Sequence, residues 1–203
     1  MTILLHTLEE RYIEDIGRAF GYYDYGEESG LVCVFSGPDA ADLYIRGYAL
    51  GMLRGGFLHA TSENYEGFIA YKLPGETLGL KTALPLLKGV FQSMRLPGLV
   101  RFAKAAKSGG PGLRDRMDKE KTPYIFVGMV CVREAFQHRG FMRKLMELVY
   151  QESDRLNVPV ILETDAVSKL EKYRHLGMEL AGTRDFGANG KLFDLIRYPE
   201  QPK

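Results

Sequence analysis

Residues Val130–Arg143, VCVREAFQHRGFMR, decide how the chain is read. Val130, Cys131 and Val132 read as the end of a strand, a short turn follows, and a helix opens at Gly140 and continues as FMRKLMELVYQESDRL. Phe141, Leu145, Leu148, Val149 and Leu156 recur along it at helical spacing. The charges run against the helix dipole: Arg139, Arg143 and Lys144 crowd the first turn, while Glu147, Glu152 and Asp154 lie further along. A helix N-terminus is partially positive, so each of those cations costs about 0.3–1 kcal/mol. An anion held by the free N–H groups of that turn reverses the sign, and phosphate is the obvious candidate. Gly140 allows such a ligand close to the backbone. The plainer alternative is three solvated surface cations. Neither G-x-x-x-x-G-K-S/T nor G-x-G-x-x-G is present, so neither a P-loop nor the usual dinucleotide fingerprint is supported.

The 203 residues suffice for one domain with a well-buried core and are short for two. Hydrophobic residues make up 45% and charged residues 26%, the balance of a soluble globular protein. A net charge of +1 gives no global attraction to nucleic acid or to a membrane surface. Cys33 and Cys131 make no disulfide framework, and Cys131 lies in an apolar strand pattern, so a reducing cytoplasmic setting is expected. The N-terminus, MTILLHTLEE, lacks the basic n-region and apolar core of a signal peptide. No apolar run reaches the length of about 18 residues that a membrane span needs. His6, His59, His138 and His175 are scattered without metal-ligand spacing, and no metal is expected.

Upstream, residues 8–23 place Ile13, Ile16 and Phe20 on one face of an amphipathic helix. A polar loop at 24–30 leads to a short strand candidate, LVCVFS at 31–36, and Pro38 opens a second helix that ends before Gly55 and Gly56. FLHATS at 57–62 and EGFIAYKL at 66–73 read as an antiparallel hairpin closed by Pro74 and Gly75. Residues 76–121 read as short helices broken at Pro85 and Pro97, then a glycine-rich, densely charged loop at 108–121. A loop of that length is often a substrate lid. Arg101, Lys104, Lys107, Arg114 and Arg116 lack aromatic interleaving, and Asp115, Asp118 and Glu120 dilute their field, so no nucleic-acid partner is expected.

From Tyr124 the pattern becomes regular. An apolar strand runs to Val132, with Gly128 marking a bulge or a close backbone approach. After the helix over 140–156, VPVILET at 158–164 reads as a buried parallel strand reached by a right-handed crossover. A helix over 167–175 stops at Gly177, and MELAGTRDF and KLFDLIRY read as two further strands linked through GANG. The class is α/β, a single domain with a mixed sheet of about six or seven strands flanked by helices.

Gln137–Met142, QHRGFM, resembles the Q/R-x-x-G-x-G/A signature of the GNAT N-acetyltransferase superfamily. LETDAVSKLEKYRHLGMEL, 162–180, resembles the second signature of that family, with Tyr173, Gly177 and Met178 at the matched positions. The resemblance covers residues 124–198 and departs from the family pattern at Met142, where Gly or Ala is usual, and at Ala166, where Asn is frequent. It implies a GNAT-like domain over 1–203 with a splayed sheet: an acceptor-side part at 1–75, an insertion or lid at 76–121, and an acetyl-CoA-binding core at 122–200.

The resemblance also implies a site. Backbone groups of Gln137, His138, Arg139, Gly140, Phe141, Met142 and Arg143 would hold the pyrophosphate of acetyl-CoA, and pantetheine would pair with the strand at Val130, Cys131 and Val132. The acceptor, an amine on a small molecule or a peptide, would attack the thioester directly. Tyr173 takes the part of the acid for the leaving thiolate, a phenol being protonated at neutral pH. Glu163 is the first choice of base, with Asp165, Glu66, His59 and a water chain as alternatives. A non-catalytic acyl-CoA-binding or sensing domain would use the same turn, and the apolar strand at 124–132 could pair two subunits as a homodimer.

Overall fold

The computed structural model describes residues 2–28, 35–94, 100, 109–185 and 190–200. Its strands form one mixed sheet in the order β1-β2-β3-β4-β5-β7-β6. β1 (Ile3–Leu4), β2 (Leu58–Ala60), β3 (Gly67–Lys72) and β4 (Ile125–Val132) pair antiparallel in sequence order. β4 runs parallel to β5 (Val160–Thr164), and β5, β7 (Lys191–Arg197) and β6 (Glu179–Asp185) complete the sheet antiparallel. Helices α1 (Glu10–Gly21) and α2 (Pro38–Gly55) precede β2, and α3 (Leu80–Ser93) and α4 (Leu113–Glu120) separate β3 from β4. α5 (Phe141–Leu156) crosses from β4 to β5, and α6 (Val167–His175) leads to β6.

The sheet separates two apolar cores. On one face Ile13 and Ile16 of α1 and Ile45, Ala49 and Met52 of α2 pack on Leu58, Phe68, Met129 and Cys131. On the other, Leu145, Met146 and Val149 of α5 pack on Ile69, Ile125, Val127 and Leu162. Each of the fully buried valine, leucine, isoleucine, phenylalanine and methionine side chains contributes about 1.5–3 kcal/mol. β4 serves both cores with odd-numbered residues, which simple alternation forbids. The register explains it: Met129 pairs with Ala70 and Val127 with Tyr71, leaving Gly128 as an extra, bulged residue that switches the strand from one core to the other.

Residues 76–121 depart from the sequence expectation. Pro85 does not break α3 but lies on its buried face, where it forfeits one intrahelical bond that packing on α2 offsets. Gly47 and Gly89 bring the two backbones together: a Cβ on Gly47 would lie 2.7 Å from Gly89 Cα and 2.8 Å from the Pro85 carbonyl oxygen. The charged stretch expected to be a loop contains α4. Asp115 accepts from the Gly112 N–H (2.8 Å) and Asp194 from the Leu113 N–H (3.0 Å), satisfying donors that a helix start leaves open. Met117 anchors α4 on Ile161 and Ile196. Pro97, residues 31–34 of the strand candidate and 187–189 of the GANG link lie outside the described residues, while Phe35 and Ser36 form a turn.

Gly47→Leu should lower stability by about 1–3 kcal/mol through overpacking, despite leucine's better helix propensity. Urea denaturation checks this, and an unchanged midpoint would show that α2 and α3 are not held at this distance.

Candidate functional site

β4 and β5 pair only where Ile125, Phe126 and Val127 face Val160, Ile161 and Leu162. Beyond that point β4 continues to Val132 and β5 to Thr164 without pairing to each other. The strands part just past the Gly128 bulge, and the gap holds a cavity of about 460 Å³. Its walls are Gly128–Val132 of β4, Leu162–Asp165 of β5 and the following turn, Tyr173 of α6, and Phe20, Tyr23, Tyr44 and Tyr48 from the α1–α2 side. The Tyr48 hydroxyl lies over Gly128, where no Cβ would fit.

At the mouth of the gap the chain turns from β4 into α5. Gln137 donates its side-chain amide to the Val132 carbonyl (3.4 Å), tying the turn to the strand end. His138 (φ +60°) and Gly140 (φ +80°) are both left-handed and flank Arg139. Such alternation turns successive N–H groups into an anion-binding concavity, and a left-handed non-glycine residue such as His138 is uncommon. α5 then starts from Gly140 with no side-chain cap, so its first-turn N–H groups face the same concavity. Two of the acids further along have partners: Glu152 pairs with Arg155, and Asp154 accepts from Arg197 at 2.7 Å, which holds its carboxyl below the ordinary range. Arg139, Arg143 and Lys144 make no ion pair among the described residues.

Gln137 and Met142 line the cavity; His138, Arg139, Gly140, Phe141 and Arg143 form the adjoining turn and helix start. Val130, Cys131 and Val132 line it too, although the Cys131 thiol is buried and pushed up to about 12. Tyr173 sits near the end of α6, where the Leu176 and Met178 N–H groups both bond its carbonyl. Burial pushes its phenol well above the ordinary value.

Glu163 opens onto the same cavity, with a carboxylate oxygen 2.7 Å from Arg184. That guanidinium also holds Asp194 at 2.8 Å, and Asp194 is only 1% exposed. Burial raises the Glu163 carboxyl above its ordinary value; Arg184 pulls it down, and the neighbouring Asp194 pushes it up again. Arg184 and Asp194 escaped the sequence reading, yet KLFDLIRY carried a signal: one acid inside an otherwise apolar strand needs a buried cation.

The alternative bases separate. Asp165 lines the cavity but accepts from Lys169 and from the Tyr25 hydroxyl, both at 2.7 Å. Glu66 does not line it. Burial pushes the Glu66 carboxyl up, but hydrogen bonds from the Thr61 (2.6 Å) and Ser62 (2.8 Å) hydroxyls outweigh that and hold it below the ordinary range. His59 stacks on Tyr71, with ring centroids 4.7 Å apart, and lies away from the cavity. Ala166, where the second signature often has asparagine, is buried at the start of α6, and Glu28 supplies that helix with an acceptor by taking the Val167 N–H at 2.8 Å.

No family model and no curated protein sequence matches the chain. Solved structures do. Arylalkylamine N-acetyltransferase 2 from Aedes aegypti aligns with a TM-score of 0.59 at 13% identity, over 98% of this chain and 99% of that one. An N-acetyltransferase from Staphylococcus aureus gives 0.57 at 14%, over 96% and 100%. The NatC complex, described as bound to Gag peptide and CoA, gives 0.50 at 14%, over 98% of each chain. The fold is that of the GNAT N-acetyltransferases along nearly the whole chain.

Asp194→Asn should remove one of the negative charges held at Arg184 and lower the titration midpoint of Glu163. Carboxyl-carbon NMR against pH reads this directly; a midpoint that stays or rises would contradict the shared-cation account.

Proposed function

We propose that the protein is an acetyl-CoA-dependent N-acetyltransferase that moves an acetyl group to the primary amine of a small molecule or a peptide. The observation that carries this reading is the parting of β4 and β5 beyond Val127 and Leu162, beside a turn that gathers N–H groups at the start of α5. The residues present fit acetyl-CoA. The backbone of β4 facing the gap lacks a strand partner there and suits the pantetheine amides as an added strand would. The turn at 138–140 and the first turn of α5 suit a pyrophosphate, and Arg139, Arg143 and Lys144 supply cations near it.

A thioester supplies an activated acyl group; the protein has to position it and move two protons. Glu163 takes the proton that an ammonium acceptor must lose, and burial, by raising that carboxyl, favours uptake nearer neutral pH. The freed nitrogen attacks the carbonyl carbon, the amide C–N bond forms, and the C–S bond breaks. Tyr173, kept protonated by burial, gives its proton to the departing sulfur. Phe20, Tyr23, Tyr44 and Tyr48 wall the acceptor side with aromatic surface, and they exclude water that would otherwise hydrolyse the thioester.

Calorimetry with CoA and acetyl-CoA tests the reading. Wild type should bind both in the micromolar range, and Gly140→Glu should abolish binding by placing a carboxylate in the anion site. Tyr173→Phe should lower kcat by about 100-fold while leaving KM for acetyl-CoA within about twofold. Absence of CoA binding by wild type would end the proposal. Binding without turnover across an amine panel would assign the chain to acyl-CoA sensing instead.

A further inference from the structure

α3 shows its small residues to the protein and its large ones to solvent. Thr82, Pro85, Gly89 and Ser93 are buried, the glycine closely against α2, whereas Leu80, Leu84, Leu87 and Phe91 are 81%, 64%, 51% and 68% exposed. Their spacing, i, i+4, i+7 and i+11, puts the four on one narrow stripe opposite the buried face. Isolated exposed leucines are ordinary; an unbroken apolar line along a helix marks a surface made for contact.

The charge around the stripe says what kind of contact. Lys81 and Lys88 flank it on one side. From Thr77 to Arg114 the sequence holds no Asp or Glu at all and seven Lys or Arg, so the rest of the chain is net acidic. The overall charge of +1 conceals this asymmetry. Self-association through the stripe would set lysines against lysines with no acid on α3 itself to compensate, and RNA has no use for the leucines. A basic helix with a leucine and phenylalanine line is suited to the boundary between lipid headgroups and acyl chains, where lysines meet lipid phosphates. No described helix is long and apolar enough to cross a membrane, so the contact is with a surface. We propose that α3 docks the protein onto an anionic phospholipid bilayer, with the Leu80–Phe91 stripe inserted and Lys81 and Lys88 at the headgroups.

Vesicle flotation with the full chain tests this, using phosphatidylcholine alone and phosphatidylcholine with about one-third phosphatidylserine. The protein should float with the anionic vesicles and not with the neutral ones. Leu84→Glu and Leu87→Glu, both at exposed positions, should each cut the bound fraction roughly tenfold with an unchanged thermal midpoint. Joint replacement Lys81→Glu and Lys88→Glu should weaken binding as well. No flotation of wild type, or flotation that Leu84→Glu leaves intact, would overturn the proposal. So would a solution dimer that Leu84→Glu converts to monomer, which would give the stripe to a second copy.

Discussion

A strand between two cores must hold its register, because a slip of one residue turns every side chain to the wrong face. β4 has to slip once and in a controlled way. Ile125 and Val127 belong to the core under α5, and Met129 and Cys131 to the core under α1 and α2. The bulge at Gly128 performs that change, and it bends the strand at the point where its pairing with β5 stops. The absence of a side chain there also admits the Tyr48 hydroxyl against the backbone. One extra residue therefore sets the opening of the gap, the division of the cores and the placement of an aromatic wall.

Charge placement follows the same economy. The acids far along α5 are met by fixed partners, Asp154 by Arg197 and Glu152 by Arg155. No carboxylate among the described residues pairs with the basic first turn, which leaves it suited to a mobile anion. At the β5 wall of the cavity two carboxylates, Glu163 and Asp194, meet at the Arg184 guanidinium. Burial, helped by the nearby Asp194, outweighs the pull of Arg184 and keeps Glu163 easier to protonate than a surface glutamate.

Much of this was legible in the sequence. Strand, turn and helix around Gly140 stood out because apolar periodicity and a single glycine are local signals, and the same holds for the bulge at Gly128 and the helix over 167–175. What the sequence hid was long-range. Pro85 argued for a break, and only the close passage of Gly47 shows why the helix continues. The stretch around Arg114 to Glu120 is polar enough to pass for a loop, because Met117 alone is buried and one of the two carboxylates that meet its start comes from the distant Asp194. Glu163 could be named as a strand-end acid, but its partnership with Arg184 crosses from β5 to β6 and appears only once the sheet order is known.

Asp194 is where the segment between β3 and β4 meets the sheet. Its two oxygens reach in different directions, one to Arg184 and the other to the Leu113 backbone at the head of α4. The helix is therefore part of the scaffold rather than an ornament on it: excising 113–120 would strand half of a buried carboxylate and uncover Ile161 and Ile196. A grafted or shortened version of this domain would have to replace that backbone donor. Judged by these contacts, the sheet and the segment between β3 and β4 form one unit.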